Sequence, residues 1–564
     1  MVSLIPAVKE MKLTGGILTK KAISFDKNIC SARLAKALEK LPVSSDGATL
    51  SVSFGEGAGE GYSLTVSADS VAINADSEKG AFWAVQTLRQ LFVADEIPCL
   101  VINDKPDFAY RGFYHDVTRG KVASIATIKK LIDTMAYYKM NALQLYVEHV
   151  FDFEETRDII GATSYYTGAE MRELDEYCKE NFIDFQPSLS TFGHMFEILD
   201  QEKYRHLRVL NGYENHPCRW YDRMAHHTID PKQEESIELV KSLIDQFAPH
   251  FSDEYFNICC DETFDLKKTY PAEIEGKLYI DFVKAIISHV QSKGKKVMMW
   301  ADILLQHPEY ISELPEDVCF LNWKYAANPP ESNIAEFAKL GRTQIVCPGT
   351  TSWSRFCERV DQEESNISKM AEYGKKYGAL GMLNTNWGDY GNPASIEMAS
   401  YGLVLGAAKS WFVETEINDA FYADVNNLLY GNANGMKILR AISDIHNGVK
   451  WNPIFISVHS RRAGVTYAPV MFGEDLRAAQ KGYRELIPLI EAGEWNDDFK
   501  EEMYLAVEGV CVLAELAVKH MGFEFERVTD TKKFIEKYKA KWLEKNKPSE
   551  ISRIEDAFLY ADSL

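Results

Sequence analysis

From Arg111 to Val147 the chain reads "RGFYHDVTRGKVASIATIKKLIDTMAYYKMNALQLYV". "RGFYHDV" and "ALQLYV" have the apolar, aromatic and β-branched content of strands, while Ile128, Leu131, Ile132, Met135 and Tyr138 fall between them at helical spacing. Strand, helix, strand is a βαβ unit, and it repeats. A helix near "AEMRELDEYCKEN" leads to the strand "IDFQPSL", and a loop-rich stretch follows from about 190 to 228. Asp230 and Pro231 then stand as N-cap and first residue of a helix through "EESIELVKSLIDQF", ahead of the strand "YFNICC". "KLYIDFVKAIISHVQSKG" ends on Gly294 as a C-cap before "KVMMW", and "VCFLN", "TQIVC" and "ALGMLNTN" complete the series. Eight strands between Arg111 and Asn386 predict a (β/α)8 TIM barrel. An open doubly wound sheet uses the same alternation, but the first βα turn lacks a glycine-rich phosphate loop.

On either side the rhythm changes. "TLSVSF", "YSLTVS" and "SVAINA" alternate with period two and "GAFWAVQTLRQLF" switches to helical period, which marks a small α+β unit. After about residue 400 the text is helical, as in "EDLRAAQKGYRELIPLIEAG" and "KEEMYLAVEGVCVLAELAVKHM". The expected organisation is an N-terminal α+β domain over 1–105, an α/β barrel over 106–400 and an α-helical domain over 401–564. A length of 564 residues suits two or three domains. With 62 Lys and Arg against 83 Asp and Glu, the net charge of -21 argues against a nucleic-acid partner. The start "MVSLIPAVKEMKLTGG" has no basic segment followed by an apolar one, and no window approaches a membrane span, so a cytoplasmic protein without membrane partners is the expectation. The ten cysteines are too sparse for a disulfide framework; Cys259, Cys260, Cys319 and Cys347 fall in apolar runs, as packing residues do.

In a barrel, residues just past each strand face the C-terminal mouth, where such folds keep their chemistry. Those positions hold Arg111, His115 and Asp116 for strand one, Glu148 and His149 for strand two, and His194 after strand three. Asp261 and Glu262 follow strand four, Trp300 and Asp302 strand five, Trp323 and Tyr325 strand six, Trp353 strand seven, and Trp387 and Asp389 strand eight. Singly, each has a plain structural reading: Arg111 as a surface ion pair, the histidines as satisfied core groups, the tryptophans as rim packing. Together, acids and aromatic rings around one mouth suit a sugar, with rings against its apolar face and charged groups on its hydroxyls. A lone pair of acids can also sit at a helix N-terminus. Adjacent to a buried strand, however, one of two neighbouring carboxyls is expected to have a raised pKa, as a general acid requires.

"GYSLTVSADSVAINADSEKGAFWAVQTLRQL", "YRGFYHDVTR", "KMNALQLYVEH", "CCDETFD" and "NTNWGDYGN", in that order, resemble the family 20 glycoside hydrolases, the β-N-acetylhexosaminidases, over roughly residues 48 to 400, and most closely their shorter bacterial three-domain branch. The resemblance implies an exo-acting, retaining hydrolase of terminal β-linked GlcNAc or GalNAc working by substrate assistance. It casts Glu262 as general acid and base, Asp261 as the partner of the 2-acetamido group, and Arg111 as the grip on the 3- and 4-hydroxyls. Trp387 and Asp389 become a stacking floor and a carboxylate for the 4- and 6-hydroxyls, and Trp300 and Trp323 line the acetamido pocket. Where the larger enzymes have "HLHL" and "PGH", this chain has "QLYVEH" and "TFGH", so Glu148 or His149 takes a supporting role and His194 partners Glu262. Tyr325 is the candidate for the acetamido carbonyl, with Trp353 of "TSWSR" as its rival. No metal or organic cofactor is implied; the partners are oligosaccharides or glycoconjugates, and the helical domain could support a homodimer. The alternatives are a non-catalytic sugar-binding barrel and a metal-dependent hydrolase using His115, Asp116, His149 and Asp261, for which no ligand spacing speaks.

Overall fold

A computed structural model of the chain describes residues 2–55, 57–161, 163–213, 219–462, 464 and 473–563; part of the loop expected over 190–228, at 214–218, lies outside them. Strands β1 (Glu10–Ile17), β2 (Ile23–Ser24), β3 (Ala48–Phe54), β4 (Tyr62–Val66), β5 (Ser70–Ala75) and β6 (Pro98–Asp104) form one sheet in the order β1-β6-β4-β5-β3-β2. Val71, Ile73 and Ala75 point inward and Ala72 and Asn74 outward, so period two has buried one face. The helix Glu78–Leu91 covers that face with Phe82, Trp83, Val85, Leu88 and Leu91, and the Ser77 hydroxyl caps its first turn. β1 has no counterpart in the sequence reading. All eight of its residues are exposed, so nothing selected an apolar face that alternation could reveal.

The eight strands read from the sequence are all present: β7 (Tyr110–Asp116), β8 (Ala142–Val147), β9 (Asp184–Leu189), β10 (Tyr255–Asn257), β11 (Lys296–Trp300), β12 (Cys319–Trp323), β13 (Gln344–Cys347) and β14 (Gly381–Asn386). They form a closed parallel barrel, sealed by β14 against β7 from Gly381↔Tyr110 to Asn386↔His115, which rules out the open sheet. Tyr114, Tyr146, Cys259, Met298, Trp300 and Leu383 fill the interior. The helix Ile125–Tyr137 buries Ile128, Leu131, Ile132 and Met135, as its spacing requires. Two boundaries differ from expectation. The helix before β10 begins at Glu234, and Asp230 instead accepts the Lys232 amide and the Tyr270 hydroxyl. The helix Ser400–Trp411 packs on β14 and β7, so the barrel runs past residue 400.

The N-terminal sheet and the barrel meet at Arg111. Its guanidinium is wholly buried, donates to Phe108 O at 2.8 Å and Lys139 O at 2.9 Å, and pairs with Glu60 of the N-terminal domain. Trp83 and Trp411 sandwich it, and Trp411 donates to Asp104 at 3.0 Å.

The C-terminal helices grip two loops at the opposite end. Backbone bonds join Ser124 to Lys545, Lys547 to Val122 and Glu550 to Gly120, fastening the loop after β7. Trp451 Nε1 donates to Tyr390 O at 2.6 Å and the Tyr538 hydroxyl to Pro393 O at 2.9 Å, fastening the loop after β14. Lys545 is held between Glu397 at 2.7 Å and Glu502 at 2.6 Å. Among the described residues no helix is long and apolar enough to cross a membrane.

Candidate active site

β10 stops at Asn257 because the backbone turns sharply just beyond it. Cys259, Cys260 and Glu262 have φ of 56°, 66° and 47°, a left-handed conformation that costs on the order of 1–3 kcal/mol per residue and survives only when surroundings impose it. Here Trp300 N donates to Cys259 O at 3.0 Å, the Tyr279 hydroxyl to Cys260 O at 2.9 Å, and Glu262 N to Asp302 Oδ2 at 3.1 Å. Gly193 passes so close that a Cβ there would lie 2.3 Å from Asp261 O. The turn swings Asp261 and Glu262 together into a cleft of about 320 Å³, walled by Arg119, Met224, Phe264, Trp323, Tyr325, Trp353, Trp387, Asp389 and Tyr390.

His194 joins the two acids. Its Nε2 stands 3.3 Å from Asp261 Oδ2 and 3.4 Å from Glu262 Oε2. Burial disfavours the imidazolium, but the two carboxylates outweigh it and push the His194 pKa up to about 10. Its own backbone is left-handed (φ 57°), its amide donates to His227 Nδ1 at 2.7 Å, and the His227 ring stacks on it at 4.2 Å. Burial and the neighbouring His194 keep His227 neutral, as that acceptor role needs.

Arg119 is the cation of the cleft. It lies 3.4 Å from Asp116, 3.5 Å from Glu148 and 3.5 Å from Asp389, its NH2 is 3.2 Å from His194 Nδ1, and its guanidinium sits 5.0 Å from the centroids of both Tyr146 and Trp387. Burial raises the Asp389 pKa to about 6 despite Arg119. Burial also disfavours the charged form of Glu148, yet Arg223, His149 and Arg119 hold its carboxyl well below the usual range. Trp387 Nε1 donates to the Tyr325 hydroxyl at 2.6 Å, and Tyr325 stacks on Trp323 at 5.1 Å and tilts against Trp353 at 5.1 Å.

Of the residues named from sequence, Asp261, Glu262, Trp323, Tyr325, Trp353, Trp387 and Asp389 border the cleft, and His194 lies beneath its acids. Trp300 is fully buried behind Trp387, at 5.8 Å between centroids. Glu148 supports Arg119 and Arg223 from below, and His149 turns towards a separate cavity beside Ser549, Glu550 and Arg553. Arg111 requires correction. As the second residue of β7 it lies at the end of the barrel remote from the cleft, committed to Glu60, so it cannot reach a ligand there. Arg119, three residues past the end of β7, occupies the place assigned to Arg111; it stood inside the quoted "YRGFYHDVTR", and its distance beyond the strand was the available signal. Met224, Phe264 and Tyr390 were also missed: Phe264 stood inside "CCDETFD" and Tyr390 inside "NTNWGDYGN", while Met224 sits in no recognisable pattern.

His194, Asp261 and Glu262 offer ligand atoms within 4.8 Å of one another, the arrangement a divalent ion could bridge. The two carboxylates favour the protonated imidazole of His194 there. The set His115, Asp116, His149 and Asp261 is not gathered: Asp116 binds the Thr118, Arg119 and Gly388 amides, and His115 faces Asn386 at 3.1 Å.

A closed parallel barrel whose mouth carries adjacent acids among aromatic rings has the architecture of a barrel glycosidase. A model described as the glycosyl hydrolase family 20 catalytic domain matches residues 108–420, and one described as domain 2 of that family matches residues 2–105. The chain belongs to glycosyl hydrolase family 20. A β-hexosaminidase of Porphyromonas gingivalis is 28% identical over 295 residues, covering 43% of this chain and 36% of that protein, so the chain spans about a third of that relative's length. Among solved structures, the chitobiase of Flavobacterium johnsoniae aligns over 99% of both chains at 17% identity with a TM-score of 0.60. An exo-β-N-acetylglucosaminidase of Vibrio harveyi aligns over 76% of both chains at 18% identity and a TM-score of 0.60. At these identities the structural matches speak for the fold alone.

Proposed function

We propose that the protein is an exo-acting, retaining β-N-acetylhexosaminidase that releases terminal β-linked GlcNAc or GalNAc from oligosaccharides or glycoconjugates. The observation that carries this reading is the pair Asp261 and Glu262 on consecutive residues, turned into one aromatic-walled cleft and bridged by His194. The P. gingivalis relative, itself a β-hexosaminidase, supports the substrate class.

In this reading the non-reducing sugar lies on Trp387, with Arg119 and Asp389 on its hydroxyls as charge-assisted partners. Asp261 Oδ1 is buried and has no donor among the described residues, so the acetamido N–H satisfies it. Tyr325 donates its hydroxyl proton to the acetamido oxygen while accepting from Trp387 Nε1, which aims that oxygen at C1. Glu262 gives its proton to the glycosidic oxygen as the C1–O bond breaks and the acetamido oxygen closes on C1. The Asp261 carboxylate stabilises the positive oxazolinium that results. Glu262, now a base, takes a proton from the water that opens the ring, restoring the acetamide and the starting β configuration. No step requires a metal ion.

The test is a panel of aryl β-glycosides assayed with and without a thiazoline mimic of the oxazolinium. Turnover of the GlcNAc and GalNAc glycosides and competitive inhibition by the thiazoline are expected. Equal turnover of a β-glucoside, or indifference to the thiazoline, would refute substrate assistance; sugar binding without turnover would favour a lectin-like barrel.

A further inference from the structure

Besides Asp261 and Glu262 the site holds a third acid whose task the mechanism leaves unassigned. Asp302 lies two residues beyond β11, and its Oδ2 accepts from Glu262 N at 3.1 Å. Its Oδ1 is buried and has no donor among the described residues. The groups that face it are Asp261 and Glu262 from the turn after β10, the Cys260 thiol beside them and the Tyr279 phenol from the helix Ala272–Ser292. Burial keeps the thiol and the phenol neutral, so the nearest cationic partner of the acid cluster is His194, which faces Asp261 and Glu262. Burial and the two neighbouring acids push Asp302 up to about 7.

We infer that Asp302 is the positioning residue of the catalytic acid: by accepting the Glu262 amide it holds Glu262 in its left-handed conformation, and its own ionisation changes the charge beside the Glu262 carboxyl. The geometry gives it this leverage. Glu262 has φ of 47°, and rotation of its backbone by a few tens of degrees would carry the carboxyl away from the leaving oxygen. The inference rests on the proposed hydrolysis of β-N-acetylhexosaminides.

The experiment compares Asp302→Asn and Asp302→Ala in the full chain. The amide oxygen of Asn still accepts the Glu262 N–H, so Asp302→Asn isolates the charge. Its kcat/KM–pH profile should lose the limb that ionisation of Asp302 contributes near pH 7, with KM and melting temperature nearly unchanged. Asp302→Ala also removes the anchor, and kcat for a 4-methylumbelliferyl glycoside should fall roughly 10- to 100-fold. A 2,4-dinitrophenyl glycoside, whose leaving group needs little protonation, should recover most of that loss; a merely structural defect would depress both substrates equally. Superimposable pH profiles for wild type and Asp302→Asn would overturn the inference, as would an equal loss on both leaving groups. Should Asp302→Ala fail to fold, the Asn profile decides alone. Absence of turnover in the wild type would sink the functional reading and this inference with it, whereas turnover with an unmoved profile would sink only the inference.

Discussion

Exchanging each of two arginines for methionine separates the roles of the two ends of the barrel. Arg111→Met keeps much of the side-chain volume but removes the donors to Phe108 O and Lys139 O and the partner of Glu60. Lys79 at 3.4 Å and Trp83 Nε1 at 2.7 Å still reach Glu60, so its charge is not wholly abandoned. Breaking a buried pair of this kind costs about 3–5 kcal/mol, which over a chain of 564 residues lowers the melting temperature by roughly 3–4 °C. KM should stay as it was, because no part of Arg111 approaches the cleft. In Arg119→Met the sugar loses two charge-assisted hydrogen bonds at about 1.5–3 kcal/mol each, so kcat/KM falls roughly 10²- to 10⁴-fold. Calorimetry and steady-state kinetics on an aryl β-N-acetylglucosaminide supply both readouts. An Arg111→Met protein with an unaltered melting temperature and a raised KM would refute the placement, and so would an Arg119→Met protein of undiminished kcat/KM.

Removing the proton donor with Glu262→Gln should lower kcat about 10²- to 10⁴-fold for a poor leaving group, measured by single-turnover hydrolysis, and leave thiazoline affinity within a few-fold. Tyr325→Phe strips the acceptor from Trp387 Nε1 and the donor from the acetamido oxygen; a roughly tenfold fall in kcat, with thiazoline inhibition weakened in parallel, is expected. Asp389 binds hydroxyls best when ionised, and burial has raised its pKa to about 6, so KM should climb as pH drops below that value and stay flat in Asp389→Asn. The same shift has a stability consequence. Because the folded-state pKa is the higher one, ionising Asp389 costs stability as pH rises from about 4 through 6, and the Asn variant should show a smaller loss of melting temperature across that window. Activity should persist in chelator, assayed after dialysis against EDTA.

The barrel was legible because each of its strands is buried on both sides and bounded by helices with an apolar stripe, as in "ALQLYV" and "ATIKKLIDTMAYYKM". The acid pair was legible for a related reason: "YFNICC" is apolar to its last residue, so charges immediately after it must sit at a mouth. β1 was not legible, since an edge strand exposed on every residue carries no pattern. Arg111 was misplaced although "RGFYHDV" already sets it at the start of its strand; β7 ends at Asp116, and Arg119, three residues further on, is the arginine that reaches the mouth. Met224 reaches the cleft from the helix Arg219–Ala225, far from any strand end, and only the path of the chain between β9 and β10 brings it there, whereas Phe264 stands two residues past Glu262.

The grip of the C-terminal helices on the two mouth loops bears on how this protein can be divided. The loop fastened by Lys545, Lys547 and Glu550 carries Arg119, and the loop fastened by Trp451 and Tyr538 carries Asp389. A gene fragment ending after the barrel could preserve all eight strands and both acids, yet it would release the two groups proposed to hold the sugar. Anyone trimming, fusing or recombining this chain should therefore keep the helices that fasten these loops together with the barrel.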